Sequence, residues 1–254
     1  MARRWVCVVC MLFVGCAAIS AYTYSGRVTD KRKNPLPGVA VFLNRTTICS
    51  VTGEDGTFRI EAPMMFESAL VFAKEGFITE VIANPYEEAE KEKIGVILNP
   101  KVPSEEITER YGRFIRDFFL AEFRANFSGR DSAGLSCVIE NEEALVFQYD
   151  SALHFVSVAM KRPLQIRNPY LGYRIVAYIE NYFFTPLTPL KKERMPFWLR
   201  ETYSSLRPEN VADRPNSFYG FFYFIDEVGS NPLYAQRRLL QDEGSQLHFF
   251  RTVR

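Results

Sequence analysis

The sequence predicts an N-terminal all-β sandwich over residues 22–100 and an α+β domain with an antiparallel sheet over residues 104–254. Up to residue 98, short apolar runs alternate with turn residues at a spacing of about ten, which is typical of a sandwich. Helical periodicity first appears after the proline-containing segment 99–103. A chain of 254 residues, 47% hydrophobic and 24% charged, is long enough for two modest domains.

The first 21 residues predict a secretory signal peptide. Arg3 and Arg4 precede an apolar stretch, residues 5–14, that is too short to cross a bilayer as a helix. Small residues follow, so an ordinary signal peptidase could cut within residues 18–21. Residues 13–16 (FVGC) alternatively resemble a lipobox, in which Cys16 would be lipidated, although Phe13 stands where Leu is usual. Both alternatives place the mature chain outside the cytoplasm.

Charge and cysteine usage restrict the partners. The chain has 31 Lys and Arg, two of them in the leader, against 30 Asp and Glu, so the mature net charge is about −1. This balance predicts no nucleic-acid partner, and membrane contact only through a lipid anchor at Cys16. Cys49 and Cys137 remain after export and lie in different predicted domains. We expect two separate buried thiols, with a disulfide between them as the alternative.

The sandwich is expected to contain seven short strands. They are predicted over residues 22–29, 38–43, 48–52, 57–60, 69–73, 77–82 and 94–98. Asp55 and Gly56 predict a tight hairpin turn, because Gly adopts a positive φ without steric cost. The charge run at residues 87–93 (EEAEKEK) is expected to form a solvated loop or a helical turn.

Four motifs in order carry a resemblance over residues 24–98. They are residues 25–30 (SGRVTD), residues 35–41 (PLPGVAV), Thr52 with residues 55–58 (DGTF), and residues 74–77 (KEGF). The segment resembles the carboxypeptidase regulatory-like domain, a transthyretin-like sandwich. The resemblance implies the accessory module found beside carboxypeptidases and outer-membrane receptors. The peptidase itself needs His and Glu zinc ligands, and His154 and His248 belong to no HxxE or HExxH motif. We therefore expect no metal, no cofactor and no enzymatic activity.

The second region is expected to begin with a helix at Ser104, whose aromatic stripe should pack on a sheet. Strands are predicted over residues 137–140, 144–149, 154–160, 164–167, 173–184 and 219–228, and helices over 233–240 and 244–253. Residues 186–215 hold five prolines and read as a long surface excursion. Short motifs follow one another at residues 137–141 (CVIEN), 163–168 (PLQIRN), 171–173 (LGY), 219–220 (YG) and 244–249 (GSQLHF). Their order resembles the uncharacterised C-terminal region of Bacteroidetes carboxypeptidase regulatory-like proteins. This resemblance implies a location in the periplasm, or at the outer membrane or cell surface, of a Gram-negative bacterium, and little chemistry. It leaves open a missing C-terminal segment.

Two sets of residues are candidate sites. Arg237, Arg238, Ser245 and His248 could form a polar cluster that binds an anion or a glycan, or a Ser/His pair for acyl transfer. No GxSxG elbow and no orienting acid accompany them, so we favour Ser245 as a helix cap with His248 packed nearby. Ser132 and Ser151 lie in Asp-Ser-Ala triplets, which resemble the O-glycosylation acceptor of Bacteroidetes.

The sequence thus predicts a non-catalytic, exported cell-envelope protein in which the sandwich is an interaction or stability module. The α+β domain would support binding or assembly, with a cell-envelope protein or glycan of unknown identity as the partner. One alternative is a glycan- or peptide-binding protein that uses exposed aromatic residues such as Tyr170, Trp198 and Tyr219. The other is a hydrolase of unrecognised type that uses Ser245 and His248.

Overall fold

The computed structural model describes residues 22–62, 68–89, 93–101, 113–129, 131–150, 155–185 and 217–243. The strands are β1 (Tyr22–Thr29), β2 (Ala40–Leu43), β3 (Cys49–Val51), β4 (Thr57–Ala62), β5 (Leu70–Ala73), β6 (Glu80–Ile82), β7 (Ile94–Ile97), β8 (Val138–Ile139), β9 (Leu145–Asp150), β10 (Phe155–Met160), β11 (Leu164–Asn168), β12 (Tyr173–Phe184) and β13 (Ser217–Asp226). The helices are α1 (Pro85–Ala89), α2 (Arg113–Phe127), α3 (Ser132–Leu135) and α4 (Pro232–Glu243), with a 3-10 turn at Glu142–Ala144. The predicted leader with Cys16, the helix start at Ser104, the excursion over 186–215 and the last helix lie outside the described residues.

The N-terminal domain is the predicted seven-stranded sandwich. One sheet has the order β4-β1-β7 and the other β3-β2-β5-β6, and every pair is antiparallel except β1 with β7. The side chains between the two sheets form a fully buried core that includes Val28, Val41, Phe72 and Leu98. The predicted hairpin turn precedes β4, where Gly56 has φ +74° and the Asp55 carboxylate accepts the Thr57 N–H. Helix α1 includes residues 87–89, the first three of the charge run.

The second domain combines helices with a six-stranded antiparallel sheet, which confirms the α+β prediction. The path of the sheet is β8-β11-β12-β10-β9, and β13 pairs with β12 along nearly its whole length. Helix α2 lies on this sheet and buries Ile115, Phe119 and Phe123 in the core. The Phe119 and Phe147 rings, for example, lie 6.1 Å apart. The aromatic stripe of α2 therefore packs on a sheet, as its spacing predicts.

A β-bulge interrupts the pairing of β12 with β13 between Ile179 and Asn181. Gly220 lies opposite the bulge, and a Cβ there would come within 2.7 Å of the Tyr178 carbonyl oxygen. Only glycine permits so close an approach of the two backbones. The extra residue, Glu180, points toward the sandwich, where it accepts from Thr79 Oγ1 at 2.7 Å and lies 3.2 Å from Lys101 Nζ.

A third apolar cluster joins the two domains. Strands β2 and β5 are buried along their whole length, because alternate residues face the sandwich core and the second domain. Ala40, Phe42, Val71 and Ala73 form the outer face, and Phe221 of β13 packs against them with Tyr178 and Tyr223. The Phe42 ring lies 4.8 Å from the Tyr223 ring, centroid to centroid. The sheet of the second domain thus packs on the outer face of β2 and β5.

Backbone hydrogen bonds extend this contact along the free edge of β13. The Arg45 N–H donates to the Phe222 carbonyl at 2.8 Å, and the Phe224 N–H donates to the Thr46 carbonyl at 2.9 Å. The Asn44 side chain accepts the Phe222 N–H at 3.1 Å. An exposed strand edge can pair with other chains, and the β2–β3 turn covers this one.

The two cysteines are free, which confirms that they are separate thiols. The expectation of burial is wrong for Cys49, which is exposed, whereas Cys137 is half-buried. The physical reason is that Cys49 belongs to β3, an edge strand whose side chains are only partly covered by the rest of the sheet.

Candidate functional site

The second domain contains a cavity of about 550 Å³ between the end of α2, helix α3 and one face of the sheet. Its walls are mainly apolar. They include Phe127 from α2, Ile175 and Tyr182 from β12, and Phe218, Phe222 and Phe224 from β13. The volume lies within the range of roughly 300–1,000 Å³ that is common for small-molecule sites.

Strand β13 carries aromatic residues on both of its faces, and those on one face form part of the cavity wall. The register pairs Phe224 with Ile175, Phe222 with Ala177 and Phe218 with Tyr182, and all six line the cavity. Successive side chains of a strand point to opposite faces. The intervening Phe221 and Tyr223 consequently contact the sandwich. The aromatic residues between positions 218 and 224 therefore contribute to two packing surfaces, one in the cavity wall and one against the sandwich.

Tyr182 is the unusual residue of this wall. Its side chain is 3% exposed, and its ring contacts Phe123, Phe127 and Phe218 at centroid distances of 5.2, 5.9 and 6.1 Å. Among the described residues its hydroxyl oxygen, Oη, is buried and has no hydrogen-bond partner. Burial raises the pKa of Tyr182 to about 12, so the hydroxyl keeps its proton at neutral pH and can donate it to an acceptor.

The other end of the cavity, around Asn168, is polar, and its polar groups form hydrogen bonds with one another. Asn168 accepts from the Leu171 N–H and Ser136 Oγ, both at 2.9 Å, and donates to the Ala133 carbonyl at 3.1 Å and to Cys137 Sγ at 3.3 Å. Burial is the main cause that raises the pKa of the Cys137 thiol. A nucleophilic cysteine needs a lowered pKa. The thiol is therefore a protonated, structural group at neutral pH.

Helix α3 borders the same end of the cavity and begins at Ser132. The Asp131 carboxylate caps this helix by accepting the Gly134 N–H at 2.7 Å, and it also accepts from Gln241 of α4. Ser132 is exposed at the first helical position, whereas Ser151 lies outside the described residues. Their glycosylation stays a prediction.

The two arginines singled out in the sequence lie on α4 beside the turn that joins β11 to β12. The Arg238 guanidinium donates to the Leu171 carbonyl at 2.8 Å and to Asp226 Oδ1 at 2.9 Å, and lies 3.8 Å from the Tyr173 ring centroid. Hydrogen bonds from Arg238 hold the pKa of the Asp226 carboxyl well below its usual range. Arg237 donates to the Tyr170 carbonyl at 3.2 Å and covers that ring at 4.7 Å.

Both arginines thus donate hydrogen bonds to backbone carbonyls of the β11–β12 turn. Ser245 and His248 lie outside the described residues, so the predicted four-residue polar cluster stays a prediction. Of the aromatic residues considered for glycan binding, Tyr170 is half-buried beneath Arg237, and Tyr219 is 58% exposed. Trp198 lies outside the described part of the chain.

Neither a metal centre nor a membrane span is found within the described ranges. No group of three or more His, Cys, Asp or Glu side chains in these ranges is placed to hold a metal ion. No helix there combines the length and apolar character needed to cross a bilayer.

Comparison with known proteins identifies the N-terminal part. Residues 24–108 match the family model of the CarboxypepD_reg-like domain, in agreement with the resemblance carried by the four motifs. The match covers the sandwich and ends near the start of the second domain. No curated protein matches the chain.

Proposed function

We propose that this chain is a non-catalytic, exported protein of the Gram-negative cell envelope. The sandwich acts as an interaction and stability module, and the α+β domain supports binding or assembly with an envelope protein or glycan. The basic and apolar leader supports export, and the matched domain family supports an accessory role, since the regulatory-like domain is non-catalytic in carboxypeptidases.

The observation that carries this proposal is the continuous burial of β2 and β5. The outer face of a free sandwich is normally polar, because strands with one solvated face alternate apolar and polar residues. Here Phe42 and Val71 of that face are completely buried against the second domain. The outer face of this sheet thus packs against another domain, which is the role expected of an interaction module.

The polar groups around the cavity support binding rather than turnover. Asn168 uses both its amide oxygen and its amide nitrogen within the fold, and the Cys137 thiol is held in its protonated form. Arg238 is bound to Asp226 and to backbone carbonyls. These groups position the backbone of the β11–β12 turn, and none has the free nucleophile and adjacent base that covalent catalysis requires.

Intact mass of the protein purified from its native envelope tests export directly. A lipidated chain that starts at Cys16, or an unmodified chain that starts near residue 21 or 22, supports the proposal. The first result assigns a membrane-tethered protein and the second a soluble periplasmic or secreted one. Excess mass in sugar-sized steps would support Ser132 and Ser151 as glycan sites. A chain that retains Met1 and the leader would contradict export.

A screen with ester and peptide substrates tests the non-catalytic assignment. The expected result is hydrolysis no faster than in buffer for the purified protein. The Ser245→Ala and His248→Ala variants are the controls, because they remove the only catalytic pair that the sequence suggested. Turnover by the natural chain that disappears in either variant would overturn the assignment in favour of a hydrolase.

A further inference from the structure

We propose that the groove between the two domains binds a short, uncharged oligosaccharide through Glu75, Gln165 and Tyr178. The inference rests on the binding role proposed above, and it adds the place of binding and the class of the ligand. It depends on three properties of the groove: the unpaired polar side chains that face it, the fixed loops around them, and the balance of its charges.

Two adjoining pockets, of about 670 and 180 Å³, form this groove along the domain boundary. Both are lined by residues 74–75 of the sandwich, in the turn after β5, and by residues 162–163 and Tyr178 of the second domain. The volume of the larger pocket lies within the range of roughly 300–1,000 Å³ that is common for small-molecule sites. The groove thus needs both domains to be complete.

The second domain presents Gln165 and Tyr178 to the groove from one face of its sheet. Leu164 of β11 pairs with Ala177 of β12, and both side chains point into the core beneath α2. Successive residues of a strand alternate between the faces, so Gln165 and Tyr178 lie together on the other face, toward the sandwich. The Tyr178 ring stacks on Phe42 with the centroids 5.9 Å apart, which fixes the tyrosine at the boundary.

Three polar side chains that line the groove have polar atoms without a partner. The Glu75 carboxylate, the Gln165 amide and the Tyr178 hydroxyl form no hydrogen bond or ion pair with another described residue. In the described ranges Tyr182 Oη is the only unpaired side-chain oxygen or nitrogen atom that is fully buried, so the Tyr178 hydroxyl retains accessible surface. Burial raises the pKa of Tyr178, so its hydroxyl keeps the proton and can donate it.

The loops around these three groups are held by bonds within the protein. The Asn141 amide donates to the Pro163 carbonyl at 2.9 Å and accepts the Gln165 N–H at 2.8 Å. The Arg162 guanidinium pairs with the Glu143 carboxylate. A site that is ordered before its ligand arrives loses little conformational entropy on binding. The unpaired groups therefore belong to a preorganised surface.

The charges of the groove favour an uncharged ligand. The described lining of its two pockets includes four lysine or arginine side chains and four glutamate side chains. Two of these charges, on Lys101 and Glu180, lie 3.2 Å apart as an ion pair. A groove without net charge gives no general attraction for an ion of either sign, and the unpaired Glu75 carboxylate repels an anion.

The polar lining favours a saccharide over a peptide. A peptide is usually recognised by addition to a strand edge or by apolar pockets for its side chains. Strands β11 and β12, which carry Gln165 and Tyr178, are paired on both sides, and the larger pocket is lined mainly by polar side chains. Hydroxyl groups both donate and accept hydrogen bonds. The adjacent hydroxyls of a sugar can therefore match a carboxylate, an amide and a phenol together.

Isothermal titration calorimetry of the purified full chain tests the class of ligand. The probes are maltotriose, cellotriose, mannotriose and triacetylchitotriose, with acetylated trialanine amide as the uncharged peptide control. We expect saturable binding of at least one trisaccharide and weaker binding of the peptide. No binding of any trisaccharide at up to about 10 mM, or equally tight binding of the peptide, would overturn the proposal. Either result leaves export to be decided by the intact mass.

A matched set of variants tests the place of binding. Glu75→Gln should weaken trisaccharide binding about tenfold or more, because hydrogen bonds to a charged group are the stronger ones, and Tyr178→Phe about two- to tenfold. Tyr223→Phe removes a hydroxyl from the same interface cluster but outside the described lining of the groove, and should leave the affinity unchanged.

Circular dichroism and the thermal midpoint report whether each variant folds. Glu75 is exposed, so its variant decides the question even if Tyr178→Phe does not fold. Trisaccharide binding that is unaltered in Glu75→Gln and in folded Tyr178→Phe would refute the groove as the site, and would leave the proposed binding role standing.

Discussion

Replacement of Phe221 by alanine should destabilise both domains, although the residue belongs to only one of them. The Phe221 side chain is 7% exposed and packs in the cluster that joins β13 to β2 and β5. A buried phenylalanine removes about 200 Å² from water, worth about 5 kcal/mol at 25 cal/mol per Å². Alanine retains part of that area, so we expect Phe221→Ala to lower the free energy of unfolding by about 3–4 kcal/mol.

Urea unfolding measures this loss, and hydrogen exchange followed by mass spectrometry shows where it falls. We expect faster exchange in β5 (Leu70–Ala73) of the Phe221→Ala variant, because this strand loses its outer cover. The matched control is Ile225→Ala, since Ile225 lies on the same strand and face but is 40% exposed. Its effect should stay below about 1 kcal/mol. Unchanged exchange in β5, together with a loss as small as that of the control, would refute the shared core.

Two further changes test the β11–β12 turn. Because the folded-state pKa of Asp226 is lowered, its pair with Arg238 stabilises the fold above the carboxyl's ordinary pKa and is lost as pH falls below about 4. The pair is partly exposed, so Asp226→Asn should cost about 1 kcal/mol at pH 7, and thermal midpoints of the two proteins should converge toward pH 3; a constant difference would contradict this. Asn168→Ala should cost about 2–4 kcal/mol in urea unfolding, because it leaves the Leu171 N–H and a carbonyl of α3 unpaired. Exposed Asn181 on β12 is the control, and an equal effect of its replacement by alanine would contradict the role assigned to Asn168.

The sandwich could be predicted strand by strand because its signals are local. Turn residues such as Asp55 and Gly56 mark where strands end, and all seven predicted strands are present. The predicted bounds of β12 agree with the structure at both ends, since the β11–β12 turn and the residues after Phe184 interrupt a long apolar run. Helix α3 is not among the predicted elements, because four residues are too few to show helical periodicity.

The contacts between distant segments could not be predicted in the same way. Arg237 and Arg238 suggested an anion site, but their partners include the carbonyls of Tyr170 and Leu171, which lie 67 residues away in the chain. Hydropathy does not reveal such pairings. One signal of the domain interface was nevertheless present. Strands β2 (AVFL) and β5 (LVFA) lack any polar alternation, and strands of this type are covered on both faces.

The cavity and the domain interface are two faces of one strand. Phe222 and Phe224 of β13 line the cavity, whereas Phe221 and Tyr223, interleaved with them, rest on the sandwich. The outer edge of this strand is held by hydrogen bonds from the β2–β3 turn. Protein interiors are close-packed, so a strand fixed on one face leaves little freedom to the side chains of the other. The sandwich therefore helps to set the position of the cavity wall, although none of its described residues belongs to the lining.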